Sequence, residues 1–455
     1  MDKLIVFLIL MMFAPVPAHK ILGFAASFEQ TDSLSSTTWP VSPLSLEEAI
    51  ARALANNPEI AAKQWDASAA QARAGIAAGT RLPRLAFTGN YMHHLDEQRL
   101  IPAASDGSPA LFGRDVFMAD LVVTLPLYAG GRLTHQIAAS ELLHDAALKR
   151  LARSRDELIF NVSSLFNNIL AQQQLIVSLE FSVTTLSRHV EQVDRLIAAG
   201  RAARVERLHT EVRLADVEQR LLHERNLLFL QQRALAGLLG IDGSGDGGSL
   251  VVGDLENGLA DPLPELATAV ARARENRSDY RAAMLASQAQ QRQLEAARAG
   301  YLPSLSVQGS YGRRWAVGAT TGRGSDQADV GRIGLVLEMP IYSGGQISAA
   351  LREQRALLAA AEARLRAFNQ QMSLEVETAL RNISSAAERG RALRQSLELA
   401  RESLQIEQQK YDLGKGSVMD ILDAQTALLQ VESSYYRVLA DYHTARAQWT
   451  LAVGE

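Results

Sequence analysis

The chain contains no cysteine in 455 residues. That absence removes disulfides, thiolate nucleophiles, cysteine-based zinc sites and the cysteine that bacterial lipoproteins acylate. Long apolar runs are missing too. Beyond the N-terminal stretch no window holds 18 consecutive apolar residues, so no transmembrane helix is expected there. Aromatic residues are scarce at 6%, although hydrophobic residues reach 47% and mean hydropathy is −0.04. Alanine and leucine carry that excess, which is the composition of long helices. A surplus of positive charge is also lacking. The 46 basic and 50 acidic residues leave −4, so no nucleic-acid partner is expected. No nucleotide-binding glycine loop, nucleophile elbow or HExxH sequence occurs. His93-His94 has no third ligand at metal-binding spacing. The expectation is a protein without catalytic residues, metal site or cofactor, and not an enzyme.

The first residues read as a secretory signal. Lys3 supplies the positive charge, Leu4 to Ala14 is an apolar stretch too short to span a bilayer, and small residues follow at Val16-Pro17-Ala18. Cleavage is expected after residue 18, or as late as residue 26 in the Ala25-Ala26 pair. An exported chain without a helical anchor is left with the periplasm, the exterior, or an outer membrane crossed by β-strands.

An internal repeat fixes the organisation. Residues 44–91 match 264–311 at an offset of 220, pairing Ala49-Ile50-Ala51-Arg52-Ala53 with Ala269-Val270-Ala271-Arg272-Ala273. From residue 116 the offset becomes 214, pairing Pro126-Leu127-Tyr128-Ala129-Gly130-Gly131 with Pro340-Ile341-Tyr342-Ser343-Gly344-Gly345 and Gly200 with Gly414. The chain therefore reads as a first repeat over 44–241, a linker over 242–263 with the flexible sequence Asp242 to Ser249, and a second repeat over 264–455.

Each repeat has one grammar. A helix of about 35 residues (46–80; 266–300) leads through proline into two alternating segments and a second proline. After Gly-Gly, residues 132–199 contain no Gly or Pro and 346–413 contain only Gly390, so each spans roughly 100 Å as helix. A glycine turn then leads to a return helix of about 36 residues (201–236; 417–453). The two shorter helices of a repeat together match the long one, and stacked end to end they would run antiparallel beside it. Helices of this length without internal caps argue for coiled-coil-like packing.

The alternating segments have period two. Leu85, Phe87, Gly89 and Tyr91 share one face, as do Leu305, Val307, Gly309, Tyr311 and Trp315, whereas Asp120, Arg314, Arg332 and Glu338 lie on the other. Strands of about ten residues with polar loops at 94–114 and 318–329 suit membrane β-hairpins, the alternative being soluble hairpins packed on a helix. Tyr91, Tyr311 and Trp315 suit either interface anchors or strand-packing aromatics. Four strands cannot close in lipid. Two chains would give eight strands and three would give twelve; the charged inner faces suggest a water-filled lumen and favour three.

The sequence resembles the TolC-like outer-membrane efflux proteins over all of its length after the signal segment. The resemblance is carried by the duplicated strand-to-helix junctions (Pro126, Tyr128, Gly131; Pro340, Tyr342, Gly345), the entries Leu82-Pro83 and Leu302-Pro303, and the run from Gly414 through Ser417-Val418-Met419-Asp420-Ile421-Leu422-Asp423-Ala424. It implies a homotrimer with a twelve-stranded barrel in outer-membrane lipid, a periplasmic helical tunnel and an equatorial collar containing the linker. It also implies a passive exit duct that docks to a periplasmic adaptor and an inner-membrane pump. The turns at Gly200 and Ala203, and at Gly414, Lys415, Gly416 and Ser417, would form the periplasmic tip where the adaptor docks. Asp420 and Asp423 map onto the family's lumen-facing acids, with Glu206 and Tyr411 as further gate residues. Gly416 departs from the family's basic residue, with Lys415 adjacent. Read alone, the acids equally suit a helix start, where the helix dipole favours them. The rival readings are a periplasmic adaptor, which would carry one hairpin inserted in β-rich domains, and a pore-less envelope rod. The cargo is not written in the sequence.

Overall fold

The structure, a computed structural model, describes residues 44–101, 111–241, 251–255, 264–317 and 327–455. The signal segment and most of the 242–263 linker lie outside the described residues. In chain order the elements are α1 (Leu46–Asn56), α2 (Pro58–Gly79), β1 (Arg84–Ile101), β2 (Leu111–Tyr128), α3 (Arg132–Ala198) and α4 (Arg204–Leu238). The second repeat gives α5 (Leu266–Asn276), α6 (Ser278–Arg298), β3 (Ser304–Val317), β4 (Gln327–Glu338), α7 (Gln346–Asp412) and α8 (Val418–Val453). Among the described residues no helix is long and apolar enough to cross a membrane.

The two 67-residue helices, α3 and α7, carry the length of the molecule. Their buried residues recur every seven positions. On α7 Met372, Ala379 and Ala386 form one series and Val376, Ile383, Gly390 and Leu397 the other. On α3 the series are Leu179, Leu186 and Val193, and Leu175, Ser182 and His189. This is a coiled-coil seam, with small residues admitting close approach.

Near the sheet the helices lie side by side in the order α2, α3, α6, α7; toward the far end the order is α4, α3, α8, α7. Each short helix thus hands its place to a return helix, as stacking end to end requires. The expected 35-residue helices are each divided at this handover, at Asn57 and Arg277. Asn57 works in both directions. Its Oδ1 accepts from the N–H groups of Glu59 (2.9 Å) and Ile60 (3.2 Å), starting α2, and its Nδ2 donates to the Leu238 carbonyl (2.9 Å) at the end of α4. Gly240 follows with φ 70°, so close to Asn56 that a Cβ would run into its carbonyl.

The second repeat solves the same problem with charge. Arg277, only 2% exposed, binds Asp279 (2.7 Å) and Glu375 (2.6 Å), with its guanidinium 5.7 Å from the Phe368 ring centre. Arg153 reaches Asp279 (3.3 Å) and donates to the Leu451 carbonyl (3.0 Å) near the end of α8. Burial alone would raise the Asp279 carboxyl; hydrogen bonds from Arg277 and the charge of Arg153 outweigh it and hold it below the usual carboxylate range. Beside the first handover, Phe166, Ile169, Leu235, Leu239 and Leu439 form the largest core cluster, joined by Val251 and Leu255 of the linker. Leu44 bridges to Val251, tying the linker across this waist.

The four strands form one antiparallel sheet in chain order, the repeats meeting at β2–β3. The strands are longer than ten residues. β1 and β2 have 18 each, β3 has 14 and β4 has 12, so they extend into segments expected as loops. β2 also runs through Pro126 to Tyr128, with a register shift there; β1 pairs only to Thr124, so this proline lies where β2 has a single neighbour. Four glycines turn strand into helix at the two junctions: Gly130, Gly131, Gly344 and Gly345 have φ between 60° and 86°.

Two stability predictions follow from the joints. Urea unfolding monitored by circular dichroism should show Asn57→Ala losing about 1–2 kcal/mol, the worth of a helix cap, and Arg277→Ala losing about 2 kcal/mol, because two partly buried carboxylates lose their cation and the buried arginine stem leaves a gap. Gly130→Ala should cost more than Gly344→Ala by about 1–2 kcal/mol of overpacking. Both have positive φ, but a Cβ at 130 meets Leu302 Cβ at 2.6 Å, whereas nothing lies within 4 Å at 344.

Candidate functional site

Two surfaces can act: the outward face of the sheet and the hairpin tips. On the sheet, register puts Tyr91, Phe117 and Trp315 in one row across three strands, with ring centres 4.7 Å and 5.5 Å apart. Beneath them the same face carries Leu85, Phe87, Leu121, Val123, Leu305, Tyr311, Ile333, Leu335 and Leu337. Its apolar side chains are conspicuously bare, Leu335 and Leu337 being 68% exposed. From Trp315 to Leu305 the band runs roughly 34 Å along the strand, or about 26 Å at a tilt of ~40°, the height of a barrel's lipid-facing belt. His93 (2.6 Å) and Tyr91 (2.8 Å) both bind Asp115 past the row, which accounts for one histidine of the His93-His94 pair.

The opposite face is polar. Arg314 binds Asp120 through both terminal nitrogens at 3.1 Å, and Arg332 Nε donates to Ser310 at 3.2 Å. Gly312 faces Asp120 across the register and leaves room for that carboxylate. An apolar outside and a charged inside follow from one period-two pattern. β1 and β4 each have one strand neighbour, so each leaves an edge of unpaired backbone groups.

At the other end, the two turns are copies. Gly200 (φ 70°) closes α3 with Arg201 N–H donating to the Leu196 carbonyl, and Gly414 (φ 72°) closes α7 with Lys415 N–H donating to the Lys410 carbonyl, both at 2.8 Å. Each is the six-to-one bond of a glycine-ended helix. Ala203 then starts α4 without a side-chain cap, whereas Ser417 starts α8 with a capping box. Ser417 Oγ accepts from Met419 N–H (3.1 Å) and Ser417 N–H donates to Asp420 Oδ2 (2.9 Å). Asp420 therefore has a local task at the helix start, while Asp423, one turn on, is exposed and has no ion pair among the described residues. Gly416 has a steric reason. A Cβ there would sit 3.1 Å from both Lys410 Cβ and Tyr411 N, so the larger basic residue of the family pattern meets a crowded backbone.

Tyr411 is half-buried at the end of α7. Its hydroxyl is buried without a hydrogen-bond partner among the described residues, and burial, with the charges of Glu206 and Asp412, raises its pKa. The ring lies 5.4 Å from that of His189, a residue the sequence reading passed over. His189 is buried at a seam position of α3, and its Nε2 also lacks a partner. The two side chains line a cavity of about 360 Å³ with Gln192, Gln405, Gln408, Gln409 and Asp412. The tip thus brings Tyr411 to His189 and near Glu206, while Asp420 serves the start of α8 and neither it nor Asp423 lines the cavity beside that pair. The seven-residue spacing of Leu175, Ser182 and His189 was the signal that could have found the histidine.

Known proteins agree with this geometry. The family model "Outer membrane efflux protein" matches residues 49–241 and 269–455, once per repeat. PrtF, the proteases secretion protein of Dickeya chrysanthemi, is 24% identical over 417 residues, covering 88% of this chain and 84% of its own. The outer membrane protein TolC of Vibrio cholerae is 22% identical over 427 residues, covering 93% and 92%. A crystal structure of a membrane protein from Pseudomonas aeruginosa superposes with a TM-score of 0.77 at 21% identity, covering 90% of this chain and 92% of that one. With its repeat matched twice and both sheet and hairpins in place, the chain belongs to the outer membrane efflux protein family.

Proposed function

We propose that this protein is the exit duct of a pump-driven efflux or secretion system, working in the outer membrane as a homotrimer. The observation that carries the reading is the sheet: four strands with a bare apolar belt of membrane height, a charged inner face, and two unpaired edges. In hydrocarbon each edge needs a partner strand, and the partner of stated geometry is another copy. Three chains supply twelve strands and leave room for a water-filled lumen lined by Asp120, Arg314 and Arg332, where eight would fill with side chains. The adaptor reading is poorly served by this belt, because a soluble β-domain buries its leucines.

Below the belt, three copies of the four-helix layer would form the tunnel wall, with the waist and the linker at its girth. No residue of the chain is assigned chemistry; transport along the lumen draws energy from an inner-membrane pump. The turns at Gly200 and Ala203 and at Gly414 to Ser417 are the parts furthest from the membrane, and these are the surfaces offered to a periplasmic adaptor. Asp420, Asp423, Glu206 and Tyr411 would narrow the lumen at that end. Three copies bring six aspartates together, so mutual repulsion favours opening and multivalent cations favour closure. Relatives differ in cargo by name, and the cargo here follows from whichever pump is paired with the duct.

Purified from outer membranes, the protein should migrate as a heat-modifiable trimer and conduct in a planar bilayer. A monomer recovered from the soluble periplasm would remove the duct reading. Asp423→Asn should weaken block by multivalent cations by roughly fivefold, the ~1 kcal/mol of one charge contact in water. Asp420→Asn keeps an acceptor for Ser417 N–H and should add to that loss without unfolding the cap; unaltered block in the double variant would remove both acids from the gate.

A further inference from the structure

The seam between α3 and its neighbours contains two polar positions one heptad apart. Ser182 is satisfied, its Oγ accepting from Gln425 Nε2 at 3.1 Å. His189 is not. His189 is 8% exposed, and among the described residues its Nε2 has no partner and neither has the buried Tyr411 hydroxyl across from it. Buried polar atoms are nearly always bonded, and a pair left open at one contact marks a weak point in the packing. That weak point joins α3 to the last turn of α7, beside the turn at Gly414.

We propose that His189 makes the tip responsive to acid: a proton taken up on the buried imidazole loosens the α3–α7 contact and favours the open tip. The proposal rests on the duct reading and adds its regulation. The groups facing the imidazole are few. From α7 come Tyr411 and Asp412, and from α4 comes Glu206, near Tyr411. On its own helix Arg188, Glu191 and Arg195 line the adjoining groove, and α8 supplies Ile421, Gln425 and, farther along, Glu432. Asp412 attracts the imidazolium, but it is exposed and its pull is screened.

The sign follows from linkage. Burial lowers the His189 pKa and Asp412 only partly restores it, so the packed tip binds fewer protons than a tip with the ring in water. The packing is complete above the ordinary histidine pKa of about 6.5 and weakens as pH falls below it, down to the lowered value. Each pH unit between the two values makes loosening about tenfold easier.

Two readouts on the purified protein test this. In planar bilayers, conductance should rise several-fold from pH 7.5 to 5.5, and His189→Gln should abolish the rise. Asp412→Asn should steepen it, because the imidazolium loses its counter-charge. Hydrogen exchange of residues 186–198 and 405–413 in detergent, corrected for intrinsic rates, should show the same acid loosening in the wild type alone. A His189→Gln variant that keeps the wild-type response, or a wild type flat in both measurements, overturns the proposal. If nothing conducts at any pH while exchange still shows histidine-dependent loosening, the duct reading fails and the acid-sensitive contact stands. Circular dichroism at pH 7.5 guards against a misfolded variant, and His189→Asn then replaces it.

Discussion

A backbone N–H or C=O facing hydrocarbon without a partner costs several kcal/mol, and the rest of this molecule is arranged around that cost. The sheet meets it within the chain for β2 and β3 and leaves it unmet along the outer edges of β1 and β4. Those edges are not blunted by short length or by proline within β4, the usual protections of a solitary sheet. In the proposed trimer they are the edges that neighbouring copies would pair. In the proposed ring the helices would inherit its arrangement, because Gly130-Gly131 and Gly344-Gly345 leave a fixed path from each strand into the helix that follows. Gly130 shows how tight that path is: its backbone lies against Leu302 and the Ala299 carbonyl of the other repeat, so both repeats share one joint.

The duplication supplies two copies of each part, and the copies have diverged where loads differ. At the handovers the first repeat uses one neutral side chain, Asn57, to end α4 and begin α2. The second uses a buried arginine held by two carboxylates, with Arg153 bridging to the end of α8. Buried ion pairs are poor net stabilisers compared with apolar packing, but they are strict about geometry. The charged handover holds α6, α7 and α8 in one alignment. At the tips the divergence reverses in kind: the first turn has no side-chain cap, whereas the second has the Ser417–Asp420 box.

Much of this was legible in the residue order. Length, the absence of breakers, the period-two segments and the constant offsets gave helices, strands and the repeat, because each depends on local geometry that sequence periodicity records. The misses have separate causes. Asn56-Asn57-Pro58 announces a helix break, since the residue before proline avoids helical backbone and an asparagine caps the next helix; the apolar spacing on both sides masked it. Arg277 carries no such local signal, and only the repeat points to it. Strand lengths were underread because β-pairing, not hydropathy, decides how far a strand continues past the lipid belt. Asp420 shows a limit of motif reading: serine followed three residues later by an acid is a helix start in any fold, and the gate role comes from the resemblance. His189 sits on a legible heptad, but an unsatisfied nitrogen is a property of the packed neighbours.

The seam changes character along its length, and this orders where it can part. At the waist it is filled by Phe166, Ile169, Leu235 and Leu439, tied by the linker and flanked by the charged handover. Farther down, the layer with Ser182 keeps a full hydrogen bond to Gln425. One heptad beyond, His189 and Tyr411 meet across a cavity with neither polar atom bonded. Opening the waist forfeits buried apolar area at about 25 cal/mol per Å² and leaves buried charges unpaired. Opening the layer of His189 and Tyr411 returns two polar atoms to water, which offsets part of the cost of exposing Val193, Val418 and Leu422 beside it. In the proposed duct this difference would let the helices part at the His189 layer before the waist. A duct that must seal at one end, yet stay closed to lipid at the other, requires that gradient, and a few polar choices on a seven-residue repeat are enough to set it.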